Sequence, residues 1–140
     1  MSFELDPRLK ADTFAVDRLP LSHVLLMNDA RYPWCILVPG RPGITEVFDL
    51  SELDQGQFWR EATIFARELR REVAADKMNV ATLGNVVPQL HLHVIARFQA
   101  DDAWPGPVWG RHAARPYGAE DQDVMMGKVT AATQRTQAAL

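Results

Sequence analysis

The sequence predicts an α+β domain with a mostly antiparallel sheet of about five strands, one long helix packed on it and a short C-terminal helix. Three observations carry this. Short apolar segments are bounded by Pro, Gly and Asn; a single long stretch has helical periodicity; strand-like alternation then returns.

The elements follow in order. Residues 1–20, rich in Asp and Pro, read as an irregular N-terminal arm with one helical turn at most. "LSHVLLMND", Leu21 to Asp29, is a strand ending in a turn signal. "RYPWCILVPGRPG" supplies a second strand over Trp34 to Val38, closed by a Pro-Gly-Arg-Pro-Gly loop that a helix or central strand would not tolerate. "TEVFDL" is expected as a short third strand. Asp49 or Ser51 then opens the long helix, with acidic residues in its first turn and basic ones later, as the helix dipole favours. Phe58, Ala62, Phe65, Leu69 and Val73 draw one apolar stripe along it. Arg60, Arg67, Glu68 and Arg71 mark a solvated face. "MNVATLGN" and "LHLHVIARF" are two further strands joined by "NVVPQ". A Pro/Gly-rich loop with Trp104 and Trp109 follows, and the last twenty residues form a polar helix. The chain divides into the arm, a core over residues 21–98 and a tail over 99–140, all within a single domain spanning 1–140.

A chain of 140 residues can bury a substantial core but not two ordinary ones. With 47% hydrophobic and 24% charged residues its composition is that of a soluble globular protein. A formal charge of −3 argues against a partner that is a nucleic-acid polymer. Cys35 is the only cysteine, so neither an intrachain disulfide nor a cysteine zinc knuckle is available, and a reducing cytoplasm is expected. No secretory leader and no apolar run of membrane-spanning length is evident, so no membrane partner is expected.

The chemistry concentrates in "NVVPQLHLHVIARF". Side chains on a strand alternate faces, so Gln89, His91, His93, Ile95 and Arg97 share one face and Leu90, Leu92, Val94, Ala96 and Phe98 the other. The leucine face suits the apolar stripe of the helix. The imidazoles then look away from it, roughly 6.6 Å apart along the strand. Three readings fit such a pair: a polar outer face, a metal site completed by His23, His112 or a carboxylate, or a nucleophilic imidazole whose other ring nitrogen is held by a hydrogen bond. His23 reads as a partly buried histidine and His112 as a solvent-facing loop residue.

"QLHLHVIAR" resembles the signature of the histidine triad (HIT) family, in which three histidines alternate with hydrophobic residues late in the domain. The resemblance extends over Leu21 to Phe98: the strand ending in Asn28, "WCILVPGRP", "EVFDL", the long helix and "GN" come in the family's order. It implies a HIT-like fold, a homodimer joining two sheets, and a nucleotide or nucleotide conjugate as substrate. His91 takes the position that attacks the α-phosphate, and His93 the position that hydrogen-bonds phosphate oxygens. Asn28 resembles the ribose-contacting asparagine, and Asn85 the polar residue near the α-phosphate. No cofactor is required, although a metal carried by the substrate is compatible. The activity implied is a hydrolase or nucleotidyl transferase acting on dinucleoside polyphosphates or nucleoside phosphoramidates. The alternative is a nucleotide-binding protein with little catalysis. Two positions depart from the pattern. Gln89 replaces the first histidine and cannot exchange a proton near pH 7. Trp34 stands where many members carry a further histidine, as core filler, pocket wall or a platform for a base. Trp104 and Trp109 either anchor the tail or close over a ligand.

Overall fold

The structure, a computed structural model, describes residues 2–140; residue 1 of the expected arm lies outside them. Helix α1 (Pro7–Asp12) leads directly into strand β1 (Thr13–Arg18), followed by β2 (Ser22–Met27), β3 (Trp34–Pro39), helix α2 (Glu52–Val73), β4 (Lys77–Ala81), β5 (Leu92–Arg97) and helix α3 (Ala119–Ala139). The five strands form one sheet in the order β1-β2-β3-β5-β4, every neighbouring pair antiparallel.

The count of five strands stands, but one of them is not where the sequence pointed. "TEVFDL" is a 3₁₀ turn over Val47–Asp49. The Asp49 carboxylate accepts from the backbone N–H of Thr45 and Glu46, 3.3 and 3.0 Å away, and from the Thr45 hydroxyl. A side chain that satisfies local backbone donors removes the need for a ladder. The fifth strand comes instead from the expected irregular arm. β1 is an edge strand interrupted by a bulge between Ala15 and Asp17, a device that blunts an edge and spoils its alternation.

Helix α2 begins as expected at Ser51, whose hydroxyl accepts from the N–H of Asp54 at 3.1 Å. Its stripe of Phe58, Ala62, Phe65 and Leu69 is buried against Leu92, Val94, Cys35 and Leu37 of the sheet. The face expected to be solvated is not wholly so, because α3 lies on it. Glu68 is buried and accepts from Arg135 at 2.9 Å, while Arg135 also reaches Glu72 at 2.6 Å. α3 is 21 residues long rather than short. Its contact face uses Val129, Ala132, Thr133 and Thr136. The two buried threonine hydroxyls donate to the carbonyls of Val129 and Ala132, each at 2.8 Å.

The sheet therefore has two unlike coverings. Helices α2 and α3 close one face. On the other, Leu25, Trp34, Ile36, Val38 and Ile95 are covered by the N-terminal segment and the loop after β5, through Phe3, Leu5, Leu9, Ala103, Val108 and Trp109. The alternation read from "LHLHVIAR" places the imidazoles on this second face.

Candidate functional site

Strand β5 starts at Leu92, so Gln89, Leu90 and His91 lie just before it, held in line by the Leu90 N–H donating to the carbonyl of Ile44 at 2.9 Å. His91 and His93 are both buried, with ring centroids 5.0 Å apart and planes inclined at 69°. Nδ1 of His91 lies 2.7 Å from the backbone oxygen of Gln89. A carbonyl only accepts, so Nδ1 carries the ring proton and Nε2 keeps its lone pair.

His93 is fixed the other way. In the β3–β5 register Ile36 stands opposite His93 and Trp34 opposite Ile95, which puts Trp34 on the diagonal of His93. Its indole N–H donates to Nδ1 of His93 at 2.9 Å. An indole nitrogen only donates, so the proton of His93 resides on Nε2. Burial, with the His91 imidazole beside it, pushes the pKa of His93 down to about 3. The two rings thus stand side by side in opposite tautomers, one offering a lone pair and the other an N–H.

Both rings line a cavity of about 290 Å³, together with Asn85, Gly84, Leu83, Val86, Val87 and Trp109. A larger neighbouring cavity, about 620 Å³, takes Asn28, Asp29 and Met27 from the end of β2, Trp34 from β3, Arg8 and Asp12 from α1, and His112 from the loop. Trp109 borders both. It makes edge-to-face pairs with His93 and Trp34, with ring centroids 5.2 and 6.4 Å apart, and its indole nitrogen is buried without a partner among the described residues. Asn28 accepts from the N–H of Tyr117 at 2.8 Å, which leaves its amide nitrogen as a donor.

Of the residues singled out in the sequence, His91, His93 and Asn85 meet in the smaller cavity and Asn28 and Trp34 in the larger. Gln89 lines neither. Its side-chain oxygen accepts from the N–H of Asp6 and its nitrogen donates to the carbonyl of Glu4, each at 2.8 Å. The first triad position therefore grips the N-terminal segment with its side chain while its carbonyl holds His91. His112 is half-buried and stacks on Tyr32, whose hydroxyl meets its Nε2 at 2.8 Å. His23 is half-buried and stacked on Phe3 at 4.8 Å. Trp104 anchors the loop, lying against the Arg97 guanidinium. Among the described residues no three His, Cys, Asp or Glu side chains are grouped to hold a metal ion.

Sequence reasoning missed the contributions of Arg8, Asp12 and Asp29, and the organising role of Arg97. Arg97 shares the histidine face, is fully buried, and is paired with Asp101 at 2.8 and 3.0 Å. It also donates to Asn79 and to the carbonyl of Gly106, each at 2.8 Å. This fixes the loop that carries Trp109 to His93. A charged residue ending an apolar strand was the available signal.

The HIT domain family matches residues 8–100, about two thirds of the chain. The chain is a HIT-domain protein. This HIT-domain protein is similar over nearly its whole length to histidine triad proteins of solved structure. That from Marinobacter aquaeolei is 43% identical, with a TM-score of 0.94, covering 97% of this chain and 99% of that one. That from Bradyrhizobium japonicum is 42% identical, with a TM-score of 0.92 and coverage of 95% and 99%. That from Sinorhizobium meliloti is 44% identical, with a TM-score of 0.90 and coverage of 92% and 96%. No curated protein matches the sequence. No helix among the described residues is long and apolar enough to cross a membrane.

Proposed function

We propose that this HIT-domain protein is a cytoplasmic hydrolase or transferase of nucleotidyl groups, acting on nucleoside phosphoramidates or dinucleoside polyphosphates. The observation that carries the reading is the 2.7 Å contact between Nδ1 of His91 and the Gln89 carbonyl. It leaves the Nε2 lone pair on a buried ring that lines a cavity shared with a second imidazole and Asn85. In the first step Nε2 forms a bond to the α-phosphorus while the bond from phosphorus to the leaving group breaks. The leaving group departs with the electron pair and takes a proton from water. The ring then bears positive charge, which the Gln89 carbonyl stabilises through the Nδ1–H. In the second step water attacks phosphorus, the P–N bond breaks, a proton is released and a nucleoside monophosphate leaves. His93 donates its Nε2–H to a phosphate oxygen, and Asn85 lies within the same cavity for that purpose. Such chemistry needs positioning and charge stabilisation more than covalent machinery.

The larger cavity has the size of a small-molecule site and holds the nucleoside, with the free amide nitrogen of Asn28 toward the sugar and the Trp34 and Trp109 rings toward the base. The homodimer implied by the family uses the free edge of β4, the last strand of the sheet, where Val80 is exposed and Leu83 and Val86 lie exposed just beyond.

Acid quench of the protein with a nucleoside phosphoramidate, followed by peptide mass spectrometry, is expected to find the nucleotide on His91. His91→Ala is expected to lower turnover at least about 10³-fold. Full activity in that variant rejects the mechanism. A second reading, binding with little turnover, is favoured by one observation: the Gln89 amide is committed to Glu4 and Asp6. Calorimetry with a nucleoside monophosphate beside a turnover assay separates the two.

A further inference from the structure

We infer that Trp34 is a positioning residue: its indole N–H, donated to Nδ1 of His93, holds that imidazole as a one-way hydrogen-bond donor through Nε2–H and bars it from taking up a second proton. The role in turnover rests on the function proposed above; the tautomer does not.

The inference stands on the geometry of β3 and β5. Trp34 and His93 occupy adjacent antiparallel strands, one register step apart on the same face, and both are buried. The 2.9 Å hydrogen bond between them joins an atom that only donates to an atom that must then accept. If Nδ1 were protonated, two N–H groups would point at each other inside the sheet face, and one buried donor would lose its partner. Trp109 packs edge-to-face with both His93 and Trp34, with ring centroids 5.2 and 6.4 Å apart. The indole therefore cannot rotate away without displacing the loop that Arg97 holds.

Groups around His93 oppose a charge rather than invite one. β3 presents Trp34 and Ile36, and β4 presents Ala81. The connection before β5 presents His91, and the loop after it Trp109. His91 is the titratable group that faces it. No Asp, Glu, Lys or Arg is among the described residues lining the smaller cavity. A carboxylate or a second exchangeable imidazole in place of Trp34 would let the third triad position shuttle protons. The indole does not. Leaving-group protonation must then come from solvent, and the donor from Nε2 must persist through mildly acidic conditions where an ordinary histidine is half charged.

The test is ¹⁵N-edited NMR of the histidine rings between pH 5 and 8, with Trp34→Phe and Trp34→His beside the wild type. In the wild type His93 is expected to show the Nε2–H tautomer throughout, with no titration. Trp34→Phe keeps the aromatic body and removes the donor; His93 is expected to populate both tautomers and to titrate. Trp34→His restores a donor and is expected to recover part of the Nε2–H population. Where turnover is measured, Trp34→Phe is expected to lower kcat by about 10-fold and to introduce an acid limb in the pH profile. Wild-type His93 found as the Nδ1–H tautomer, or titrating near neutrality, overturns the inference, as does an unchanged tautomer in Trp34→Phe. A protein that shows the expected tautomers and turns over no nucleotide conjugate refutes the proposed function and leaves this inference standing.

Discussion

The two faces of the sheet are built from the same strands and obey different rules. On the helix face, Leu92 and Val94 of β5 meet Phe58, Phe65 and Leu69 across an apolar layer. The buried Glu61 there accepts from the N–H groups of Leu21 and Ser22 at 2.8 and 3.0 Å and from Gln57 at 2.7 Å. It closes a turn and faces no cavity. On the loop face, His93 of the same strand lines the smaller cavity and Arg97 holds the loop after β5 through Asp101 and the Gly106 carbonyl. The difference teaches that burial alone does not separate scaffold from site. What separates them is the covering: regular helices on one side, and on the other irregular segments that leave space between themselves and the sheet.

Four expected outcomes break or sharpen this contrast. The largest effect belongs to Arg97→Met, which strands Asp101 on the loop face; the loss of stability is about 3–5 kcal/mol, with weakened nucleotide binding because Trp109 loses its anchor. Chemical denaturation and calorimetry read the two together. On the helix face Glu61→Ala leaves two buried backbone donors unpaired and costs about 2–4 kcal/mol, with nucleotide affinity unchanged at temperatures where the protein stays folded. Loss of affinity there would erase the distinction between the faces.

The third outcome concerns pH. Burial depresses His93 to about 3, and burial with Arg18 nearby also lowers His23. A ring whose folded pKa is depressed binds more protons when unfolded. Stability is therefore full above about pH 6.5 and falls as the solution is acidified towards 3, with a slope approaching about 1.4 kcal/mol per pH unit for His93. Asp101 acts lower: although burial opposes it, the Arg97 hydrogen bond holds its carboxyl below the usual range. Its share is present above about pH 4 and lost beneath that. Denaturation midpoints across pH 4–7 should show the slope, and His93→Asn should flatten most of it. The smallest effect is that of Gln89→His, which gives up both hydrogen bonds to the N-terminal segment at a cost of about 1 kcal/mol. Faster hydrogen exchange at the Asp6 amide is the expected sign.

Legibility in the sequence divides along the same line. The helix face was open to reading because its residues recur at 3.6 and 2: the stripe of α2 and the leucines of β5 were both visible. The alternation also located His91 and His93 on the opposite face, and the order of motifs located Asn28 and Asn85 beside cavities. Three things were hidden. β1 is an edge strand with charged residues and a bulge, so it lacks a clean period. α3 buries an alanine and two threonines beside Val129, which look like a polar surface until their hydroxyls turn back on the helix. The partnerships of Trp34 with His93, 59 positions apart, and of Gln89 with Asp6, 83 apart, depend on register and on the path of an irregular segment. Neither leaves a local trace.

Gln89 ties the N-terminal segment to the His91 ring through a single residue. Its side chain clasps Glu4 and Asp6, and its backbone carbonyl steadies His91. A polypeptide trimmed of its first six amino acids would keep every histidine yet lose this tether, and the imidazole would then hang from a residue whose side chain has lost both of its partners. The opening residues are in that sense part of the frame that holds His91, and a fusion partner joined ahead of them pulls on the same thread.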